Sequence, residues 1–433
     1  MVRTSQHSIK FANTGKRKEI FLFREECLRV MRLYLDFLWS NRTEWSLKSG
    51  KTYCMDVETE NYDHPRMLSN VELEKRMGGV DSKLSARVKK CLLSLVLAKI
   101  GSSFEKQRKR KFMIDKIRED GGSVPISLIR KYEQNSPVKP DISKTDIELN
   151  SICVRIGSSE TKKFDRWVVL KSLGMFKEIA IPIQNHRQSL KFQDSGWKLK
   201  TSILLREGSV DLRWEKEQPE IKQSGSVVGI DQGLKDVVTL SDGRRPPQKD
   251  RHGHSLMSVC EKVSRKKRGS DAFRKAQDHR ENFVNWSINQ IDLSGVRQVN
   301  LEKIQNIGYK RNTSRLMKAW TNTAIRDKVK DVCEIQGVLV IEQTATYRSQ
   351  RCSACGIVKK SNRKGKTYEC PSCGNTMDAD LNASLNHEVC IPDVPFGLRS
   401  LNLNRKGFFW KSEGFYGLDG EEITVPLGTE TKR

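Results

Sequence analysis

Four cysteines near the C-terminal end constrain the fold of this chain more than any other feature. They run Cys352-x-x-Cys355, then fourteen residues, then Cys370-x-x-Cys373, with Gly356 and Gly374 directly after each pair. Each pair suits a tight knuckle whose glycine accepts the turn, and four thiolates satisfy tetrahedral zinc. The intervening IVKKSNRKGKTYE is polar and basic, long enough for a two-stranded ribbon but too poor in apolar residues to fold without a metal. Four cysteines close the coordination shell, so the spacing predicts one structural Zn2+ held by Cys352, Cys355, Cys370 and Cys373. Unligated core cysteines or a redox dithiol fit two such pairs in one polar hairpin poorly.

The ribbon is a small part of 433 residues, a length that implies two or more cores. Lysine and arginine outnumber aspartate and glutamate 79 to 53, a formal net charge of +26 that favours polyanionic partners, nucleic acid first. Neither an amphipathic anchor nor a lipidation signal accompanies this charge, and no run approaches the roughly 18 apolar residues of a membrane span. The start MVRTSQHSIKFANTGKRKE lacks a signal-peptide core. The expectation is a cytoplasmic protein with no membrane partner, whose 11 cysteines form no disulfide framework.

Near the N-terminus Ile20, Phe23, Cys27, Met31, Tyr34 and Leu38 recur at helical spacing, and Leu84, Val88, Cys91, Leu92 and Leu95 mark a second helix. A polar segment, Lys48 to Asn70, lies between them, and the run KQRKRK from Lys106 to Lys111 is too charged for a core. From about 145 the period changes to two, with Ile152, Val154 and Ile156, then Val210, Leu212 and Trp214, so short strands of a small barrel or sheet are expected. Glu215 to Gly225 is polar and reads as an interdomain linker. Beyond it the pattern predicts strands at 226–231 and 236–240, a long basic helical region at about 255–291, strand 297–302, helix 321–335 and strand 337–342, an α/β order. The tail, including GFFWKSEGFYG, carries no recognisable pattern.

The candidates for chemistry are carboxylates, each of which taken singly is more often a solvated loop residue or a helix cap. Asp231 closes the apolar strand VVGID and Glu302 closes VNLE, so both are pushed to a sheet edge; DADLNASLN opens as a helix whose first acids, Asp378 and Asp380, read by themselves as caps. Three acids converging there chelate two magnesium ions about 4 Å apart for in-line phosphodiester hydrolysis, hard cations requiring oxygen ligands. The seven histidines form no convincing ligand set, and His252 and His254 sit in a polar loop as surface residues. No Walker-type loop is present, which argues against a helicase or ATPase.

From Val227 to Asn386 the chain resembles the transposon-encoded TnpB nucleases and the miniature type V-F CRISPR effectors related to them. The resemblance rests on GIDQGLKDVVTLSDG, SRKKRGSDAFRKAQDH, LEKIQNIG, SQRCSACG, CPSCG and DADLNASLN in that order. It departs at Arg348-Ser349, where the family often has Thr-Ser, and at Ala383-Ser384, where it often has Ala-Ala. The resemblance implies that Asp231, Glu302 and Asp380 are the catalytic, magnesium-binding triad of an RNase H-like RuvC domain. It also implies that the cysteine pairs belong to a target nucleic-acid-binding ribbon inserted into that domain.

The expected fold is therefore multidomain α+β. A helical recognition lobe with the first wedge strand occupies 1–145 and the rest of a β-barrel wedge 146–220. The RuvC core spans 221–346, the zinc ribbon 347–376, the RuvC C-terminal helix 377–390 and an unassigned tail 391–433. A basic stretch with Lys262, Arg265, Lys266, Lys267, Arg268, Arg274, Lys275 and Arg280 is expected to clamp phosphates from a helix beside the active site. Trp39, Trp45, Trp167, Trp197 and Trp214 are expected to be buried rather than stacked on bases. The implied function is RNA-guided cleavage of double-stranded DNA by a CRISPR effector, with two Mg2+ at the active site, a guide RNA, and two copies of the chain on one RNA. Such a protein would be prokaryotic and nucleoid-associated when bound to DNA. The rival readings are a TnpB-type guided nuclease, an unguided RNase H-like transposase and a catalytically inactive nucleic-acid-binding regulator.

Overall fold

The computed structural model describes residues 1–40, 45–48, 51–54, 66–67, 75–119, 123–133, 138–161, 163–304 and 313–423. Most of the polar segment between Lys48 and Asn70, the end of LEKIQNIG, residues 424–433 and the side chains of Trp45, Lys106 and Gln107 lie outside the described residues. The chain divides into two compact units, Met1–Lys116 with Val124–Glu217, and Ile117–Ser123 with Gln218–Arg433.

The first unit contains β1 (Val2–Ser8), α1 (Thr14–Ser40), a small sheet of β2 (Trp45–Lys48), β3 (Lys51–Cys54) and β4 (Arg66–Met67), α2 (Ala86–Glu119) and α3 (Ile126–Glu133). It continues with β5 (Ile147–Leu149), β6 (Val154–Ser158), β7 (Arg166–Leu170), β8 (Ile179–Ile183), α4 (Arg187–Asp194), β9 (Lys198–Leu205) and β10 (Ser209–Glu215). Helix α1 buries the expected stripe, Ile20, Phe23, Cys27, Met31, Tyr34 and Leu38. The second stripe differs from expectation. Leu84 pairs with Gly174 ahead of α2, and the buried face continues through Val88, Leu92, Val96 and Ile100. The strands form sheets ordered β1-β10-β9-β5 and β6-β7-β8, and both pack with α1 and α2 around one core. Ile152 is not in a strand and is 44% exposed, because the Asn150 side chain accepts from the amides of Ile152 and Cys153 and turns the chain there. Trp197 and Trp214 are buried, and Trp214 Nε1 donates to Ser5 Oγ at 2.7 Å; Trp39 and Trp167 are half-buried.

The second unit is built on a mixed sheet ordered β12-β11-β13-β14, from β11 (Ser226–Gln232), β12 (Val238–Leu240), β13 (Val296–Lys303) and β14 (Leu339–Thr344). The pairs β11/β13 and β13/β14 are parallel, and β12 runs antiparallel at the edge. Val228, Ile230, Val299 and Leu301 join a core with Val259 and Cys260 of α5 (Leu256–Ser264), Phe283 and Val284 of α6 (Asp271–Ile288), the Ala319 end of α7 (Arg315–Ala319), and Ile325 and Val329 of α8 (Asn322–Gln336). The alternate positions Gly229, Asp231, Asn300 and Glu302 therefore face the opposite side. The expected single helical region at 255–291 is two helices. The Ser270 hydroxyl accepts from Phe273 N and starts α6 afresh, so Lys266, Lys267 and Arg268 stand on a connecting loop.

After β14 come β15 (Ile357–Val358), β16 (Arg363–Lys364), β17 (Thr367–Glu369), β18 (Thr376–Asp378), α9 (Ala379–Glu388), α10 (Phe396–Ser400), β19 (Phe408–Trp410) and β20 (Phe415–Tyr416). The described part of the tail, 391–423, carries structure that no pattern in the sequence announced: β19 and β20 extend β15 into a three-stranded sheet over a small core of Val358, Val394, Leu398, Phe408, Trp410 and Phe415. Among the described residues no helix is long and apolar enough to cross a membrane.

Candidate active site

The parallel register pairs Ile230 with Leu301, so the next residues, Asp231 and Glu302, leave the sheet side by side at the same end. Both are buried, 7% and 9% exposed, and a carboxylate oxygen of each lies within 4.8 Å of the other. Gln232 clamps the pair: its amide N donates to Glu302 Oε2 at 3.3 Å and its Nε2 to Glu302 O at 2.7 Å. Burial, then the Glu302 and Asp380 charges, push the Asp231 carboxyl well above the carboxylate range, and burial raises Glu302 to about 7. Two buried acids whose ionisation is opposed by burial and by neighbouring negative charge are an arrangement a divalent cation relieves.

Helix α9 lies directly on this face. A Cβ added at Gly229 would sit 2.0 Å from Ser384 O and 2.4 Å from Glu388 N, so only glycine lets the helix backbone approach β11 so closely. Asn300 Nδ2 donates to His387 O at 2.9 Å and to Glu388 O at 3.1 Å and ties down the far end. At the near end the Asp378 carboxylate caps α9 as expected, accepting from the amides of Asp380 and Leu381 at 3.0 Å. Asp380, in the first turn, is buried and turned toward the ribbon, where Arg363 Nη2 donates to it at 3.0 Å and Lys366 Nζ also donates to it. Lys366 further reaches Asp236, another buried acid, at 3.2 Å, and Gln248 Nε2 donates to Asp236 at 2.6 Å.

The tight group of donor atoms is not the one expected. Carboxylate oxygens of Asp231 and Glu302 and a ring nitrogen of His387 all lie within 4.8 Å of one another, and Asp380 is outside that group, held by its two bases. His387 thus stands within ligand distance of the two acids, a placement that the reading of the seven histidines did not single out. His387 follows Asp380 by seven residues, two turns of one helix, so both fall on the face packed against the strands. That spacing was the available signal. Burial, then the nearby Arg348 charge, lowers the His387 pKa to about 3 and keeps the ring neutral. His252 is exposed and His254 partly so, as expected of a surface loop.

The four cysteine sulfurs also lie within 4.8 Å of one another, with Cys352 Sγ 3.7 Å from Cys373 Sγ and Cys355 Sγ 3.7 Å from Cys370 Sγ. A disulfide requires about 2.05 Å, whereas the edge of a tetrahedron with Zn–S of about 2.3 Å is about 3.8 Å. The residues therefore fit zinc. Gly356 and Gly374 adopt φ of 82° and 73° at the knuckles, and each amide donates to the carbonyl of its knuckle's first cysteine. Burial opposes the Cys352 thiolate, but the amides of Cys355 and Ala354 outweigh it and bring the thiol down to about 7. Arg348, where the family often has Thr, is 1% exposed, its Nε donating to Thr344 O and its guanidinium lying over the Trp410 ring, so it holds the ribbon's base and the tail together.

Of the basic stretch, Lys262, Arg265, Lys266, Lys267, Arg268, Arg274 and Lys275 are exposed. Arg265 pairs with Glu261, Arg274 with Asp271, and Lys262 Nζ is 3.4 Å from His279 Nδ1. Arg280 departs from expectation. It is 8% exposed and donates to Ala319 O, which docks α7 and leaves it no reach to a phosphate at the surface. Lys266 and Arg268 instead share a cleft of about 340 Å³ with Arg315 and Lys318, two bases that no sequence pattern singled out.

Residues 323–387 match the family model described as Cas12f1-like, TNB domain. The CRISPR-associated endodeoxyribonuclease Cas12f1 of Sulfoacidibacillus thermotolerans is 31% identical over 123 residues, 28% of each chain. Putative transposase A625R of Paramecium bursaria Chlorella virus 1 is 30% identical over 142 residues, 30% of this chain and 32% of that protein. These stretches span about a third or less of the relatives' own lengths. A cryo-EM structure of a Cas12f1-sgRNA-target DNA complex covers 90% of this chain and 99% of that chain at 12% identity, with a TM-score of 0.44. The cysteine ribbon, with the elements that carry it, is thus similar to the TNB domain of Cas12f1-like proteins, and over about a third of its length the chain is similar in sequence to Cas12f1 endodeoxyribonucleases and to a putative viral transposase.

Proposed function

We propose that this chain is an RNA-guided DNA endonuclease with a RuvC-type, RNase H-like active site formed by Asp231, Glu302 and Asp380. The observation that carries the reading is the buried pair Asp231 and Glu302, within 4.8 Å of each other on adjacent parallel strands, with the buried Asp380 of α9 near enough for its charge to act on Asp231. Bound divalent cations would supply an activated water and neutralise charge on the leaving 3′ oxygen. The protein's own part is to hold its acids in a fixed constellation. Gln232 orients Glu302, the Asp378 cap and Gly229 set the position of Asp380, and Arg363 and Lys366 hold Asp380 until a polyanion competes for those bases.

One structural Zn2+ on Cys352, Cys355, Cys370 and Cys373 would order the ribbon for target binding, and the exposed bases of the α5–α6 loop would track a phosphate backbone. Guidance by RNA is inferred from the relatedness to Cas12f1. Base pairing would then read sequence while the protein reads heteroduplex shape and a short DNA motif. Under this reading the first unit supplies the helical recognition and wedge elements, and the protein acts in a prokaryotic cytoplasm. The viral relative keeps the transposon-encoded guided nuclease as the second reading.

The test is cleavage of double-stranded DNA by the ribonucleoprotein in magnesium or manganese. Asp231→Ala, Glu302→Gln and Asp380→Ala should each abolish cutting while sparing RNA and DNA binding; parental cutting by any of them would overturn the assignment. Because a chain of this size has limited surface to enclose a scaffold and a duplex, two copies are expected on one RNA, and light scattering reporting one copy per RNA would favour the transposon-encoded branch.

A further inference from the structure

We infer that His387 is a protein ligand of the divalent cation held by Asp231 and Glu302, so that the site offers nitrogen as well as oxygen. This inference rests on the nuclease reading above and concerns which atoms hold the metal.

His387 is 0% exposed, and its main-chain carbonyl is fixed by Asn300 on the strand that carries Glu302. Its Nδ1 lies 3.2 Å from Gln343 Oε1, and Gln343 is the register partner of Glu302 on the neighbouring parallel strand. A carbonyl oxygen only accepts, so Nδ1 carries the proton and the Nε2 lone pair is free. That Nε2 is buried and has no hydrogen-bond partner. A structural histidine buried at a helix–sheet contact ordinarily satisfies both nitrogens, and leaving one unpaired is costly. A ring held through one nitrogen by a carbonyl while the other is left open is the usual arrangement of a metal-ligating histidine.

The distances agree. Atoms bound to one ion at about 2.1 Å lie at most about 4.2 Å apart. A ring nitrogen of His387 and the two carboxylates, all within 4.8 Å, need to close by no more than about 0.6 Å. Asp380, engaged by Arg363 and Lys366, is then left for a second position nearer the ribbon. Magnesium favours oxygen ligands and retains water, whereas first-row transition ions accept imidazole readily. The site should therefore prefer Mn2+ to Mg2+, a departure from the all-oxygen set expected of three carboxylates.

The test is pulsed electron paramagnetic resonance of the full chain, zinc in place, loaded with substoichiometric Mn2+. Nitrogen-14 modulation of the manganese echo is expected, changing to the nitrogen-15 pattern when histidine alone is labelled. In His387→Phe, which keeps the ring's shape, manganese should still bind but without that modulation, its affinity falling at least about tenfold while that for Mg2+ changes less than about threefold. The label experiment needs no variant, so a misfolded His387→Phe leaves it decisive. Asp231→Ala should remove the modulated manganese. Asp231-dependent binding without histidine coupling would overturn the ligand assignment and leave the nuclease reading standing, whereas no Asp231-dependent binding at all would overturn both.

Discussion

Gly229 is where a single methyl group dislocates the candidate site most directly. The Cβ of a Gly229→Ala chain would sit 2.0 Å from Ser384 O, 2.4 Å from Glu388 N and 2.8 Å from His387 C, all main-chain atoms of α9. No side chain can rotate away, so regaining even a tight contact of about 3 Å requires the helix to retreat from β11 by about 1 Å. Overpacking of this kind costs about 3 kcal/mol, which for a unit of this size lowers the melting temperature by about 6–12 °C. The same retreat carries Asp380 and His387 away from Asp231, and a misplacement of about 1 Å costs on the order of a hundredfold in rate. Thermal melting and single-turnover cleavage by the purified ribonucleoprotein measure the two effects. Gly295→Ala is the control, since its added Cβ meets nothing within 4 Å, and it should melt and cut like the parent. A Gly229→Ala chain that does the same would refute the claim that close approach of α9 to the strand assembles the site.

Replacement of Cys352 or Cys373 by serine should release one zinc per chain and weaken target engagement, because the ribbon's own core is little more than Ile357, Tyr368 and Ala379 with the cysteines; elemental analysis showing no zinc in the parent would refute the site. The acid pair predicts a pH dependence whose sign follows from its raised pKa values. Native Glu302 resists ionisation up to about 7 whereas the unfolded chain ionises near 4.5, so in the metal-free protein this group's contribution falls by on the order of 3 kcal/mol as pH rises through that window, and Asp231 acts in the same direction. Manganese competes with those protons, so the rise in melting temperature on adding it should be larger at pH 8 than at pH 5.5. Equal increments at the two pH values would show that the pair does not hold the ion.

The features legible without the fold were local or periodic. The cysteine knuckles follow from spacings of a few residues, the α1 stripe from a helical period, and the order of strands and helices after the linker from alternation of apolar runs. Asp231 and Glu302 were legible because each ends a buried strand, which sends it to a sheet edge whatever the rest of the fold does. Tertiary structure decided what depends on residues far apart in the chain. The ribbon segment read only as a polar, basic hairpin, yet Arg363 and Lys366 come back onto Asp380 because the ribbon folds over the first turn of α9. Arg280 looked like one more phosphate contact but is spent on the carbonyl of Ala319. The tail had no period because its strands are short, and its apolar residues acquire a purpose only when β15 supplies an edge for β19. His387 did not stand out among the seven histidines because its spacing from Asp380 says nothing of what stands opposite it. Two helical turns place it on the face of Asp380, but only Gly229, by letting the helix touch the strand, puts that face against Asp231 and Glu302.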